Sequence, residues 1–219
     1  MGGMRGALVV LEGAEGVGKT TQLRRVAARL QLSGIPHCTV REPGGTPVGD
    51  EIRRLLLDPA MHIVPRAEAL LFMASRAALM DEHVRPALAR GEVVLLDRFF
   101  LSTYAYQIGG RGLPENEVRG ANIFATGGLV PDVTVLLTLP VAEGLSRASK
   151  RGAADRMEQA ERAFHERVES AFAVFATQEW QSAHPECGRI VPVPAVGTVD
   201  EIEERVWQVV ADACAELQG

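Results

Sequence analysis

Gly13-Ala14-Glu15-Gly16-Val17-Gly18-Lys19-Thr20 fits the spacing G-x-x-x-x-G-K-[ST] and decides how the rest of the chain is read. In such a loop the glycines let successive backbone N–H groups turn inward around a polyphosphate. The lysine reaches the β/γ-phosphates as a point charge, and the Thr hydroxyl is placed to ligate Mg²⁺. Thousands of unrelated proteins carry the spacing, so its surroundings matter. Ala7-Leu8-Val9-Val10-Leu11 reads as a fully buried strand entering the loop, and Thr21 to Leu30 as an amphipathic helix leaving it. Strand, loop and helix N-terminus are the parts an anion site needs. The bland alternative is a Gly-rich turn that merely joins strand to helix.

Working outward, the 219 residues suit one domain over 1–219, with 1–6 as a frayed end. A net charge of −5 argues against a nucleic-acid or anionic-membrane surface as the main partner, so the ligand should be small. Cys38, Cys187 and Cys214 are odd in number and widely spaced, which suggests neither a disulfide framework nor a zinc site and points to a reducing cytoplasm. Met1 to Gly6 lacks an apolar signal region, and no apolar run approaches the ~20 residues that span a bilayer, so a soluble protein is expected. Of 23 basic residues only Lys19 and Lys150 are lysines. A chain that otherwise avoids lysine keeps one where a compact ammonium suits a phosphate.

In chain order, His37-Cys38-Thr39-Val40 is a short strand running into Arg41-Glu42-Pro43-Gly44-Gly45-Thr46, and the end of a parallel strand is where ligands bind. Arg41 is therefore placed for an anion, or is a solvated turn residue. Val48 to Leu57 and Arg66 to Arg90 read as helical, with Phe72 and Arg76 at i and i+4 on one face. A phenylalanine beside a cation can hold a flat base, although such a residue is more often core. Glu92-Val93-Val94-Leu95-Leu96-Asp97 is a buried strand ending in an acid, the Walker-B arrangement that holds Mg²⁺ beside the loop; the other reading is a helix N-cap. Phe99 to Ile108 is a polar, aromatic helix that Gly109-Gly110-Arg111-Gly112 should end. Val133 to Leu139 and Ile190 to Val193 are further strands. Arg147 to Arg156 clusters cations around Gly152, as a mobile lid over a triphosphate requires, or as a solvated face. A long helix over Met157–Gln178 and a closing one over Val199–Leu217 complete a parallel, doubly wound sheet of about five strands under helices on both faces.

The phosphate loop, the R-E-P-G-G-T block at Arg41–Thr46, Phe72 with Arg76, the D-R-x-x-x-S-T-x-A-Y-Q block from Asp97 to Gln107 and the basic segment 147–157 together resemble the thymidylate kinase family over nearly the whole chain. The two blocks are far more specific than the loop. The resemblance implies a three-layer P-loop NTPase fold, a five-stranded parallel sheet with helices on both faces and a short helical lid at 147–157. It implies transfer of the γ-phosphoryl of ATP to dTMP, with Mg²⁺, in dTTP biosynthesis, by a homodimer.

Site residues follow by matching positions. Gly13 through Thr21 would hold the donor phosphates. Arg41 and Arg98 would hold the acceptor phosphate, with Arg98 close to the transferred group. Phe72 would stack on thymine and Arg76 bond its carbonyl edge, with Ser102, Thr103 and Gln107 nearby. Tyr106 would lie against the 2′ side of the sugar, and Glu15 would take the 3′-hydroxyl. Thr20 and Asp97 would ligate the metal. One branch of the family has an arginine after the loop's acid, where this chain has Gly16; the branch it resembles supplies that cation from the lid. Lys150, Arg151 and Arg156 are the candidates, with Lys19, Asp97, Arg98, Arg151 and Arg156 as the catalytic set.

Phosphoryl transfer asks for positioning and charge neutralisation more than covalent chemistry. A GTPase-like switch would need an N-K-x-D segment, which the chain lacks. Another small-molecule kinase on the same scaffold remains the rival, and an arginine pair aimed at an acceptor phosphate favours a monophosphate over a neutral hydroxyl. Leu70, Leu71, Met73 and Leu79 are candidate interface residues, or core.

Overall fold

The computed structural model describes residues 6–140, 143, 144, 147, 156, 157 and 160–216. Five strands, β1 (Leu8–Glu12), β2 (His37–Arg41), β3 (Val93–Asp97), β4 (Val133–Thr138) and β5 (Ile190–Pro194), form one sheet in the order β2-β3-β1-β4-β5. Every pairing is parallel, and the register sets Leu11 and Arg41 opposite Asp97. The uninterrupted apolar runs follow from burial on both faces. Side chains alternate across the pleat: Leu8, Val10, Val94 and Leu96 enter one apolar cluster, whereas Val9, Leu11, Val93 and Leu95 enter the other.

Helices α1 (Lys19–Leu32) and α9 (Val199–Glu216) cover the second face. Ile202, Val206, Val210 and Ala213 of α9 recur at helical spacing and are buried there. The first face is covered by α3 (Pro65–Leu79), α4 (Arg85–Ala89), α5 (Phe100–Thr103) and α7 (Arg162–Phe175), the last through Phe164, Val168, Phe172 and Phe175. Burying each of those side chains contributes about 2 kcal/mol. Helix α2 (Pro47–Leu57) packs on α3, and α3 packs on α6 (Glu115–Thr126). Thr46 closes the Arg41–Thr46 block by capping α2, its hydroxyl accepting from Gly49 N at 2.9 Å, with Pro47 in the first helical position.

Two helices differ from the sequence expectation. The segment after Phe99 ends inside Gly109–Gly112 as expected, but two residues later than Ile108 and with another geometry: α5 continues as a π-helical stretch, Tyr104–Gly110, closed by Arg111 N to Tyr106 O at 2.9 Å. These glycines serve close packing, since a Cβ on Gly110 would lie 2.4 Å from the Phe164 ring of α7. The helix expected over 157–178 is shorter, Arg162–Phe175, because Thr177 caps a separate α8 (Gln178–Ala183) through its hydroxyl and Trp180 N. A second π-helical turn, Met80–Val84, joins α3 to α4 where Pro86 removes the N–H that a regular helix would need.

Candidate active site

The C-terminal ends of β1, β3 and β2 lie side by side and deliver the phosphate loop, Asp97-Arg98 and Arg41 to one edge of the sheet. A cleft of about 1010 Å³ opens there. Along the loop, Gly13, Gly16 and Gly18 have φ of 138°, 76° and 94°, values that side-chain-bearing residues avoid. Gly16 is also fixed by a neighbour: a Cβ there would lie 1.9 Å from the carbonyl oxygen of Gly144. Helix α1 starts at Lys19, so its free N–H groups and positive end face the loop. Lys19 Nζ donates to the carbonyls of Gly13 (2.9 Å) and Ala14 (2.8 Å), which holds the ammonium over the loop with its third proton unspent. Burial, with Arg98 nearby, lowers its pKa to about 8 against the pull of Glu15 and Asp97.

Thr20 Oγ1 donates to Asp97 Oδ2 at 2.8 Å, so a hydroxyl and a carboxylate oxygen converge beside Lys19. Both are hard oxygen donors of the kind Mg²⁺ takes, and a site that also uses substrate phosphate oxygens needs few protein ligands. Among the described residues no cluster of three or more His, Cys, Asp or Glu forms a closed metal site.

Arg98 follows Asp97 with φ of 71°, the only positive value at a non-glycine among the described residues. Its Nη2 donates to Glu15 Oε1 at 2.6 Å and its Nη1 to Ser102 Oγ at 3.0 Å, and its guanidinium lies 5.3 Å from the Tyr106 ring centre. Tyr106 OH donates to the same Glu15 oxygen at 2.8 Å. Burial works against the Arg98 charge, but Tyr106, Glu15 and Asp97 outweigh it and hold the guanidinium ionised. Burial likewise pushes the Tyr106 phenol up, so it stays a donor. Glu12 underlies this turn. It is fully buried, and accepts from Phe99 N (2.7 Å), Ser102 N (2.9 Å) and Ser102 Oγ (2.7 Å).

Arg41 is exposed at the rim and Phe72 half-buried in the wall of the same cleft. Arg76 is only 2 % exposed and spends all five N–H groups within the protein. Nε donates to Glu42 at 2.7 Å, Nη2 to Glu42 and to Phe99 O (2.9 Å), and Nη1 to Thr103 Oγ1 (2.8 Å) and Asn122. Burial pushes the Glu42 carboxyl up in spite of Arg76. Gln107 Nε2 donates to Glu68 Oε1 at 3.2 Å.

The structure thus brings Glu15, Gly16, Gly18, Lys19, Thr20, Thr21, Arg41, Phe72, Arg76, Asp97, Arg98, Ser102, Thr103, Tyr106 and Gln107 to one cleft, whose lining does not include Gly13, Ala14 or Val17. Arg156 lies elsewhere. Its Nη2 donates to Glu68 Oε2 at 2.7 Å and its Nε to Leu56 O at 2.7 Å. Lys150, Arg151 and Gly152 are outside the described residues. Sequence reasoning missed Glu12, Glu42, Glu68, Arg111 and Asn122. A signal existed for one of them: Glu68, Phe72 and Arg76 stand at i, i+4 and i+8, which puts a lone acid on the ligand face of α3.

The thymidylate kinase family model matches residues 11–184. The thymidylate kinase of Deinococcus radiodurans is 47 % identical over 208 residues, covering 95 % of this chain and 98 % of that protein. That of Carboxydothermus hydrogenoformans is 47 % identical over 176 residues (80 % and 87 %), and that of Pseudomonas fluorescens 49 % over 170 residues (77 % and 81 %). With a parallel sheet, a phosphate loop and an Asp-Arg pair meeting at one edge, and with relatives matched along nearly its full length, the chain belongs to the thymidylate kinase family.

Proposed function

We infer that this chain, working as a single kinase domain, transfers the γ-phosphoryl group of ATP to dTMP, giving dTDP and ADP, a step of dTTP biosynthesis. The observation that carries the reading is the convergence in one cleft of two kinds of lining. Lys19, Thr20, Asp97 and Arg98 suit phosphates, and Phe72 with Thr103 and Gln107 suits a flat base.

A phosphomonoester has a second pKa of about 6, so its attacking oxygen is ionised near neutral pH and needs no strong general base. That oxygen displaces ADP from the γ-phosphorus, and the protein's task is to align the two and neutralise their charge. Lys19 and the N–H groups of the loop take the donor phosphates. Arg98 stands between the loop and the acceptor, with Arg41 at the rim for the acceptor phosphate. Glu15 and Tyr106 meet the sugar. Phe72 stacks on thymine, and Arg76 shares with the base carbonyl a proton it also gives Thr103. Thr20 and Asp97 are the residues that would hold Mg²⁺, whose charge offsets that of the phosphates. Lys150 and Arg151 complete the donor side by family resemblance, whereas Arg156 is engaged by Glu68.

We further propose a homodimer. Leu70 (64 % exposed) on α3 and Phe124 (88 %) on α6 leave apolar surface on packed neighbouring helices, whereas Met73 and Leu79 are core. Three free cysteines support a reducing, cytoplasmic setting, and among the described residues no helix is long and apolar enough to cross a membrane. The test of the activity is an ADP-release assay with dTMP, dUMP, UMP, dCMP, dGMP and thymidine. A rate highest with dTMP is expected; equal rates with all acceptors would refute the thymidylate assignment.

A further inference from the structure

Glu68 is a fully buried carboxylate behind the base-side residues, with 0 % exposure of its side chain. All four of its acceptor positions are taken. Arg111 grips it with two parallel bonds, Nε to Oε1 and Nη2 to Oε2, both 3.0 Å. Arg156 Nη2 takes a second position on Oε2 at 2.7 Å, and Gln107 Nε2 a second position on Oε1 at 3.2 Å. Arg111 is itself held, its guanidinium 4.5 Å from the Phe164 ring centre. Burial raises the Glu68 carboxyl, but the bonds from Arg111 and Arg156 outweigh it and keep the group ionised.

An ionised carboxylate only accepts, so the Gln107 carboxamide has one way to face it, NH₂ toward Glu68. Its carbonyl oxygen is then turned away. Among the described residues none donates to it, and Gln107 lines the cleft. Two cross-links join α3 to the α5 and π-helical segment, Glu68–Gln107 and Arg76–Thr103. In sequence they flank Phe72 at equal spacing, four residues on either side. The Arg76 link spends its guanidinium protons within the protein, whereas the Gln107 link, by the orientation just derived, leaves an acceptor at the cleft wall.

We propose that Glu68 is a positioning residue for substrate choice: by fixing the Gln107 carboxamide it selects a pyrimidine with an imide edge, a carbonyl beside a ring N–H, over one whose ring nitrogen is an acceptor. This rests on the reading that Gln107 faces the acceptor base. Thymine and uracil have the imide edge. Cytosine would set a lone pair against the Gln107 carbonyl, and two acceptors face to face leave both unsatisfied.

The test measures kcat/KM for dTMP, dUMP and dCMP in the unsubstituted protein, Glu68→Gln and Glu68→Asp. A glutamine at 68 both donates and accepts, so Gln107 can turn over; an aspartate withdraws the carboxylate by one methylene. In both variants the dTMP:dCMP ratio is expected to fall about tenfold, the dTMP:dUMP ratio and the KM for ATP to stay unchanged, and Glu68→Gln to move nothing further in a Gln107→Ala background. A uniform loss on all three acceptors, or an unchanged dTMP:dCMP ratio, would overturn the proposal while leaving the kinase reading intact. An unsubstituted protein with no preference for dTMP over dCMP would overturn the base-facing role of Gln107 first and this proposal with it. Should neither variant fold, the Gln107 side-chain NH₂ protons of the unsubstituted protein decide: slowed exchange supports the proposal, and exchange at the rate of a free amide overturns it.

Discussion

Arg98 and Glu15 form a 2.6 Å ion pair across 83 residues, joining the residue after β3 to the acid inside the phosphate loop. The pair holds the guanidinium, on a left-handed backbone, at the boundary between donor and acceptor sides. Arg98→Ala is therefore expected to lower kcat by about 10²–10³-fold with a small change in ATP Kd, the effect of removing one charged donor from a transition state. Glu15→Gln should mainly raise the KM for dTMP, since it leaves Arg98 present but less fixed. Steady-state kinetics with nucleotide titration check both, and equal losses of kcat and ATP affinity in Arg98→Ala would contradict the placement.

Lys19 titrates within reach of ordinary buffers, with a pKa of about 8 set by burial. A bound polyphosphate favours its charged form, so binding must take up a proton. ATP affinity should be flat below about pH 7 and weaken toward tenfold per pH unit above 8. Calorimetry in buffers of different ionisation enthalpy should record an uptake near half a proton at pH 8. For stability the sign is opposite. The unfolded chain keeps the lysine charged up to 10.5, hence binds more protons between about 8 and 10.5, and stability contributed by this group rises with pH over that window.

The Thr20–Asp97 contact of 2.8 Å offers two oxygens for Mg²⁺. Asp97→Asn keeps the shape and the contact but removes the charge. The Mg²⁺ concentration for half-maximal rate should rise at least about tenfold, and EDTA should abolish turnover of the unsubstituted protein. An unaltered Mg²⁺ dependence in Asp97→Asn would reject that ligand.

Arg76 and Glu42 are a buried pair, with side chains 2 % and 4 % exposed. Arg76→Met leaves Glu42 without its partner in a site where burial already raises its carboxyl pKa. A loss of about 3–5 kcal/mol is expected by denaturant unfolding. Much of it should return at lower pH, where Glu42 takes a proton.

Leu70→Asp together with Phe124→Asp should convert the proposed dimer to monomer, read by sedimentation, with the circular dichroism spectrum unchanged. Charge on two exposed positions alters no core contact.

The fold was largely legible in the sequence because fully buried parallel strands leave unbroken apolar runs, and because glycines with positive φ leave a fixed spacing in the loop. Strand order was not legible: nothing local says that β3 rather than β2 lies beside β1. The π-helical stretch Tyr104–Gly110 was hidden for a different reason. Gly109 to Gly112 mark where the helix ends, but only the Phe164 ring, more than fifty residues away, shows that Gly110 also makes room for a neighbouring helix. Among site residues, those whose chemistry faces the cleft were readable from motifs. Those that act from behind, Glu12 under Arg98 and Glu68 beneath Gln107, were not, since a buried acid is informative only when its partners are known.

Gly16 and Gly144 meet backbone to backbone, and a Cβ on Gly16 would lie 1.9 Å from the Gly144 carbonyl oxygen. The floor of the phosphate loop is thus keyed to the main chain at Gly144, so a side chain at position 16 has to displace backbone and not merely another side chain.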